Sequence, residues 1–285
     1  MTRARLQLIA SMVCFGTISI FVKGIALSPT EIALYRAAIA CGVLLVYLIA
    51  TGRLSGLRMR PGTLALLFLS GAAMGFNWLF LFTAYRYTTV ALSTLAYYFS
   101  PTLVVIFSLF LFREPLTLRQ VLCFLGSTAG LVLILGLRGG GDSDLTGLLF
   151  GLLAALLYTV VVLCNKKAGV IDGVTRTWVQ LAAATAVLAP YVALTGGFHI
   201  ASLDFTGWCN LLVIGVGFTG ILYTVYFSAI SVLPGQHAAV LSYLDPAVAV
   251  LVSVFFLREP ITAAQLLGGA MILIFAMFNE LGAKK

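Results

Sequence analysis

Apolar runs of about twenty residues follow one another along the whole chain, punctuated by Gly, Pro and charged residues. A helix of about 20 apolar residues spans the ~30 Å hydrocarbon layer of a bilayer. Bounding the runs by their punctuation predicts ten helices, over 6–26, 30–51, 63–85, 90–112, 118–137, 145–165, 175–195, 206–229, 236–257 and 262–281. The opening Met-Thr-Arg-Ala-Arg and the run behind it look like a signal peptide. No small-residue cleavage site follows, and nine more spans do, so the run reads as the first helix.

Composition agrees with the pattern and excludes a soluble domain. The 285 residues are 61% apolar and 9% charged, against roughly 45–50% and about 25% in soluble proteins. Mean hydropathy is +1.10. The net charge of +8 would suit a nucleic-acid partner, but the basic residues are scattered at the ends of apolar runs, where they set topology. With the N-terminus inside, twelve fall on inner segments (Arg3, Arg5, Arg53, Arg58, Arg60, Arg113, Arg119, Lys166, Lys167, Arg176, Lys284, Lys285) and four on outer ones (Lys23, Arg86, Arg138, Arg258). That bias places both termini in the cytoplasm. Five irregularly spaced cysteines offer neither a disulfide framework nor a zinc motif. Two histidines, 38 positions apart, leave little material for a metal site or a catalytic triad, and no cofactor is expected.

Shifting the chain by 145 positions exposes a duplication. Between 98–120 and 243–265, ten of 23 positions are identical, including Arg-Glu-Pro-x-Thr-x-x-Gln. The halves are 1–138 and 145–285, joined by the glycine-rich linker 139–144. Five spans per half is an odd number, so the fold expected is all-α and polytopic, ten transmembrane helices as two inverted five-helix repeats. Inverted repeats are a recurrent plan of secondary transporters, with the substrate site near the midplane.

The repeated motifs have distinct mechanics. Thr117 with Gln120, and Thr262 with Gln265, have capping-box spacing. Glu114 and Glu259 are expected beside the exposed amides of the helix that follows each of them. A gating salt bridge through Arg113 or Arg258 is the alternative. Ser100-Pro101 and Asp245-Pro246 fall in mid-helix, where each proline frees the carbonyl four residues back, at Tyr97 and Ser242. Each helix is expected to restart there, making Pro101 and Pro246 hinges. Gly215-Val-Gly217-Phe-Thr-Gly220 spells a dinucleotide fingerprint, but inside a span it reads as small residues for close helix contact.

Candidate cavity residues are Asn77, Trp78, Tyr97, Tyr98, Ser100, Tyr158, Asn165, Trp178, Tyr223, Ser242, Tyr243 and Asp245. The aromatic ones pair an apolar face with a hydrogen-bonding tip. Asp245 is read as facing a cavity, with an N-cap or a pair with Arg36 as the alternatives, and Arg36 as anchoring its helix to a neighbour, with a hold on a substrate carboxylate as the alternative. Tyr85, Tyr87 and Trp208, near span ends, suit an interfacial belt.

Ten helices in two repeats, each with an acidic residue after its fourth helix and then Thr-x-x-Gln, resemble the drug/metabolite transporter superfamily, EamA-like branch. Arg36 in the second helix fits that resemblance. Met271 stands where the first repeat has Gly126, so the fifth-helix glycines are not duplicated in register. Asn77-Trp78 and Tyr97-Tyr98-Phe99-Ser100-Pro101 resemble the bacterial inner-membrane aromatic amino-acid exporters. The resemblance implies export of aromatic and other neutral amino acids by alternating access, through a cavity lined by helices 1, 3, 4, 6, 8 and 9. The partners expected are the amino-acid substrate and the lipid bilayer, with the chain a monomer or weak homodimer and no nucleic acid bound. Rival readings are efflux of hydrophobic cationic drugs or other small metabolites, a membrane-embedded enzyme, and a scaffold subunit. An enzyme is disfavoured because nine scattered carboxylates and two histidines form no catalytic cluster.

Overall fold

The computed structural model describes residues 2–53, 56, 59–112, 117–136, 142–169, 171–230, 241–242 and 244–281, and every regular element among them is helical. The first run forms α1 (Thr2–Gly16) and α2 (Ile18–Lys23), separated at Thr17, whose hydroxyl turns back to the Cys14 carbonyl at 2.7 Å. A capping box starts α3 (Pro29–Ala50): Ser28 Oγ accepts from the Glu31 amide, and the Glu31 carboxylate accepts from the Ser28 amide, both at 3.2 Å. Pro61 opens α4 (Pro61–Tyr87), which outruns the predicted 63–85 at both ends.

The fourth run is two helices, α5 (Val90–Tyr97) and α6 (Ser100–Phe112). The restart falls where Pro101 has no amide to offer the Tyr97 carbonyl. Then come α7 (Leu118–Gly136), α8 (Asp142–Ala168) and α9 (Gly173–Thr195). Helix α8 begins at Asp142, so the end of the predicted linker is helical. Carboxylates suit a first helical turn, and Asp144 there accepts from the Thr88 hydroxyl at 2.6 Å.

The eighth run starts as α10 (Phe205–Leu212), widens into a π-type stretch over Val213–Ile221, and continues as α11 (Leu222–Ile230). In the ninth, α12 (Leu244–Leu251) leads into a second π-type stretch over Val252–Phe256. Last comes α13 (Ala263–Leu281). The segments Arg3–Lys23, Pro29–Ala50, Pro61–Tyr87, Asp144–Ala168, Gly173–Thr195 and Phe205–Tyr226 are long and apolar enough to cross a membrane. Val90–Val104, Leu118–Leu133, Leu244–Phe256 and Ala263–Phe278 are shorter apolar helices.

Helices in lipid gain little from burying apolar area against each other, so small residues set their spacing. A Cβ on Gly71 would strike the backbone of Gln180, which brings α4 directly onto α9. Gly215 faces Ile39 and Gly220 faces Val43, so these two of the three fingerprint glycines seat the π-type stretch on α3, while Gly217 faces open space. Helices α7 and α13 pack mainly on each other, with the Gly130 face against the Gly268 carbonyl. The other helices form the body that holds the site. In it α4 lies against α8 and α9, α1 against α11 and α12, and α5 against both α8 and α12.

Candidate functional site

The break after α5 assembles an aromatic nest. On a continuous helix Tyr97 and Tyr98 would diverge by ~100°, and the sequence therefore predicts that they cannot both face the centre of the cavity. Because α5 ends at Tyr97, Tyr98 sits in the turn and the two rings meet edge-on, centroids 5.7 Å apart at 88°. Tyr97 also packs on Tyr158 of α8 at 5.5 Å. The Tyr98 hydroxyl donates to Asp245 Oδ2 at 2.8 Å, joining α12 to the turn. Tyr223 and Tyr226 of α11 meet Phe15 of α1 at 5.3 and 6.1 Å. A Cβ on Gly16 would strike the Asp245 carbonyl, so a glycine brings α1 onto the start of α12. Pro246 is buried there.

The second centre is Arg36, 4% exposed on α3. Its Nε donates to Thr219 Oγ1 at 2.6 Å, and Thr219 donates in turn to the Ile214 carbonyl at 2.8 Å, five residues back in the π-type stretch. The guanidinium carbon lies 4.2 Å from the Trp78 ring centroid and 5.8 Å from that of Phe82, a cation–π arrangement. Arg36 is within electrostatic range of Tyr85, Tyr97, Tyr223 and Asp245. Tyr85 is 8% exposed and so lies inside the body, not at an interface, whereas Tyr87 at 46% and Trp208 at 39% are exposed as an interfacial belt requires. A cavity of about 270 Å³, lined by Lys23, Ile25, Ile32, Phe82, Tyr85 and Arg86, ends on two of these aromatic residues.

Several predicted handles hold helices together. Asn77 is buried and its amide donates to the Ala154 carbonyl at 2.6 Å, tying α4 to α8. Asn165 accepts from Gln180 Nε2 at 2.9 Å, and the same amide reaches Ser70 Oγ at 2.6 Å. That clamp spans α4, α8 and α9. The Ser100 hydroxyl belongs to a buried residue whose carbonyl takes a bond from Thr159 at 3.4 Å. Trp178 packs on the apolar cluster of α3, α4 and α9, and Ser242 is half-buried just before α12. Thr117 with Gln120 and Thr262 with Gln265 form the expected capping boxes, each with a 2.9 Å bond from the threonine amide to the glutamine carbonyl. Glu114, Tyr243, Arg113 and linker residues 139–141 lie outside the described residues, as does the side chain of Pro101.

Glu259 corrects the sequence reading. Its carboxylate is not at the amides of the following helix, α13, but at the start of α5. There Oε2 accepts from the Val90 amide at 2.8 Å and from the Ser253 hydroxyl at 2.5 Å, while Oε1 pairs with Lys23. The chain folds back because Arg258 takes a left-handed φ of 53°, an uncommon conformation outside glycine. The ion pair at this end of the bundle therefore uses Lys23, and Arg258 supplies the turn. Sequence spacing also missed Thr219, Phe82, Gln180, Ser253 and Gly16. Thr219 and Gly16 had a local signal, standing in or beside glycine-containing stretches; the others had none.

The arrangement is a helical membrane body with broken helices around an aromatic and charged centre, and the profile of the EamA-like transporter family matches the chain twice, over residues 2–136 and 145–280. The chain belongs to the EamA-like transporter family. An uncharacterized transporter of Bacillus subtilis, YxxF, is 29% identical over 282 residues, covering 96% of this chain and 87% of the relative. An uncharacterized transporter of Archaeoglobus fulgidus is also 29% identical, covering 93% and 92%. Protein PecM of Dickeya dadantii is 26% identical over 60% of this chain and 58% of its own. A crystal structure 22% identical in sequence superposes with a TM-score of 0.66, covering 98% of this chain and 96% of that one, which shows a shared fold. This EamA-like transporter is thus a drug/metabolite-superfamily membrane protein whose family, and the Bacillus subtilis and Archaeoglobus fulgidus relatives, are named for transport, not catalysis.

Proposed function

We propose that this transporter exports amino acids, aromatic and other neutral ones, across the bacterial inner membrane by alternating access. On this reading all ten helical segments cross the bilayer as two inverted repeats, 1–138 and 145–285. Both termini are cytoplasmic, and the breaks at Pro101 and Pro246 act as hinges. The chain works as a monomer or weak homodimer and needs no cofactor.

The observation that carries the reading is the aromatic nest shared by the two halves. Tyr97 and Tyr98 come from the first, Tyr158 and Asp245 from the second. Tyrosine faces are large, apolar and tipped with a polar group, which suits an aromatic or neutral side chain. Phosphorylated substrates would need several cations at the centre, and Arg36 is the one cation placed there among the described residues. The resemblance of Asn77-Trp78 and Tyr97–Pro101 to aromatic amino-acid exporters supports the same substrate class. Efflux of hydrophobic cations, with Asp245 as counter-charge, is the second reading; Arg36 in the same centre would repel such a substrate.

Purified protein in liposomes should catalyse counterflow of labelled phenylalanine and, more slowly, of alanine and threonine. Running the assay with and without a proton gradient separates driven from facilitated exit. Counterflow of a lipophilic cation with none of any amino acid would reject the amino-acid reading in favour of drug efflux.

A further inference from the structure

We propose that Arg36 and Asp245 are the two poles of the substrate site: Arg36 receives a carboxylate, Asp245 receives an ammonium, and the substrate carries both. This rests on the amino-acid reading and sharpens it from side chain to backbone recognition.

A charge inside a membrane body is costly and ordinarily finds an opposite partner. Arg36 and Asp245 sit within electrostatic range of each other, yet among the described residues neither forms an ion pair. They are opposite charges held apart, one on α3 in the first half and one on α12 in the second. A zwitterion between them would satisfy both.

The guanidinium is fixed as a receptor. Trp78 stacks on its face at 4.2 Å, and its Nε is held by Thr219, whose own proton is committed to the Ile214 carbonyl. A guanidinium has five N–H donors, and a tie to Thr219 takes one. Among the described residues no acceptor takes the two terminal nitrogens, the pair that binds a carboxylate through two parallel hydrogen bonds. If Arg36 served only to anchor α3, a neutral donor would do as well and would spare the cost of the charge.

Asp245 is presented in a complementary way. Its Oδ2 is oriented by the Tyr98 hydroxyl at 2.8 Å, and a carboxylate has capacity for several donors. Tyr97 packs edge-on against Tyr98 at 5.7 Å, beside Asp245, offering apolar faces to the side chain of a bound amino acid. Phe82, whose ring centroid lies 5.8 Å from the guanidinium carbon, also lines the cavity beside Lys23.

Competition in liposomes tests the assignment. Labelled phenylalanine counterflow is challenged with phenylalanine, its methyl ester, which lacks the carboxylate, and N-acetylphenylalanine, which lacks the ammonium. A site built to bond both groups rejects an analogue lacking one, so each derivative should compete at least about tenfold more weakly than phenylalanine. Arg36→Gln should erase the preference over the ester, and Asp245→Asn the preference over the N-acetyl form, each leaving the other preference in place. Arg36→Lys should restore part of the first. Equal competition by all three compounds on the wild-type protein would overturn the proposal, and that comparison needs no variant to fold. A uniform loss in Arg36→Gln, with both preferences kept in the transport that remains, would return Arg36 to an anchoring role. Absence of counterflow for every amino acid would instead reject the reading on which the proposal rests.

Discussion

Tyr97 and Trp78 illustrate how much a single side chain can do in a centre this crowded. Tyr97 touches two rings at once, and Trp78 carries the guanidinium of Arg36 on its face. An aromatic substrate would extend these stacks, and each aromatic contact is worth ~0.5–1.5 kcal/mol beyond area. Tyr97→Ala, and separately Trp78→Ala, should therefore reduce phenylalanine export more than alanine or threonine export, by roughly two- to tenfold on that range. Transport rates of the three substrates in one preparation check this. Equal losses across all three would assign the rings to folding. Asn77 donates to the Ala154 carbonyl and also bonds the Tyr97 side chain. Interhelical bonds of this kind contribute ~0.6 to 2 kcal/mol in membranes, so Asn77→Leu should lower thermal stability in detergent, measured as a drop in the unfolding temperature.

Among the elements, the one with most at stake is the turn after α12. Glu259 caps α5, holds Ser253 in the second π-type stretch and pairs with Lys23 at the end of α2. Loss of a helix cap costs about 0.5–2 kcal/mol, whereas an exposed ion pair contributes about 0–1 kcal/mol. The Lys23 side chain is 33% exposed and that of Glu259 12%. Glu259→Ala should thus destabilise by about 1–2 kcal/mol and Lys23→Met by clearly less, measured as thermal unfolding. Matching losses would make the ion pair, not the cap, the important contact. The break between α5 and α6 predicts a kinetic effect instead. Pro101→Ala restores an amide that can bond the Tyr97 carbonyl, so the helix should straighten and counterflow should slow in a protein that still folds. Wild-type rates in that variant would reduce the proline to a packing detail.

For the molecule as a whole, the two matches to the family profile over 2–136 and 145–280 raise the question of orientation. If each half crosses the bilayer five times, as proposed, the copies face opposite ways. Reporter fusions at Arg58, Gly140, Lys167 and His199 should read inside, outside, inside and outside. An inside signal at Gly140 with an outside signal at Lys167 would refute inverted repeats. Helices α7 and α13 pack on each other and leave the remaining helices to enclose the centre.

What the sequence determined on its own was whatever depends on neighbours along the chain. Composition set the membrane environment, Pro101 set the restart at Ser100, and Thr-x-x-Gln spacing set two capping boxes, because each acts within about one helical turn. The aromatic candidates Tyr97, Tyr98 and Tyr158 were also legible, though not their meeting. Tertiary structure alone decided that Glu259 serves α5, 169 positions away, that Thr219 holds Arg36 across 183, and that Gln180 claims Asn165. These contacts depend on the rotation of each helix about its axis. In lipid the helices are apolar nearly all round, so no polar stripe in the sequence marks which face turns inward, and small residues and the few buried polar side chains settle it only once the helices are packed.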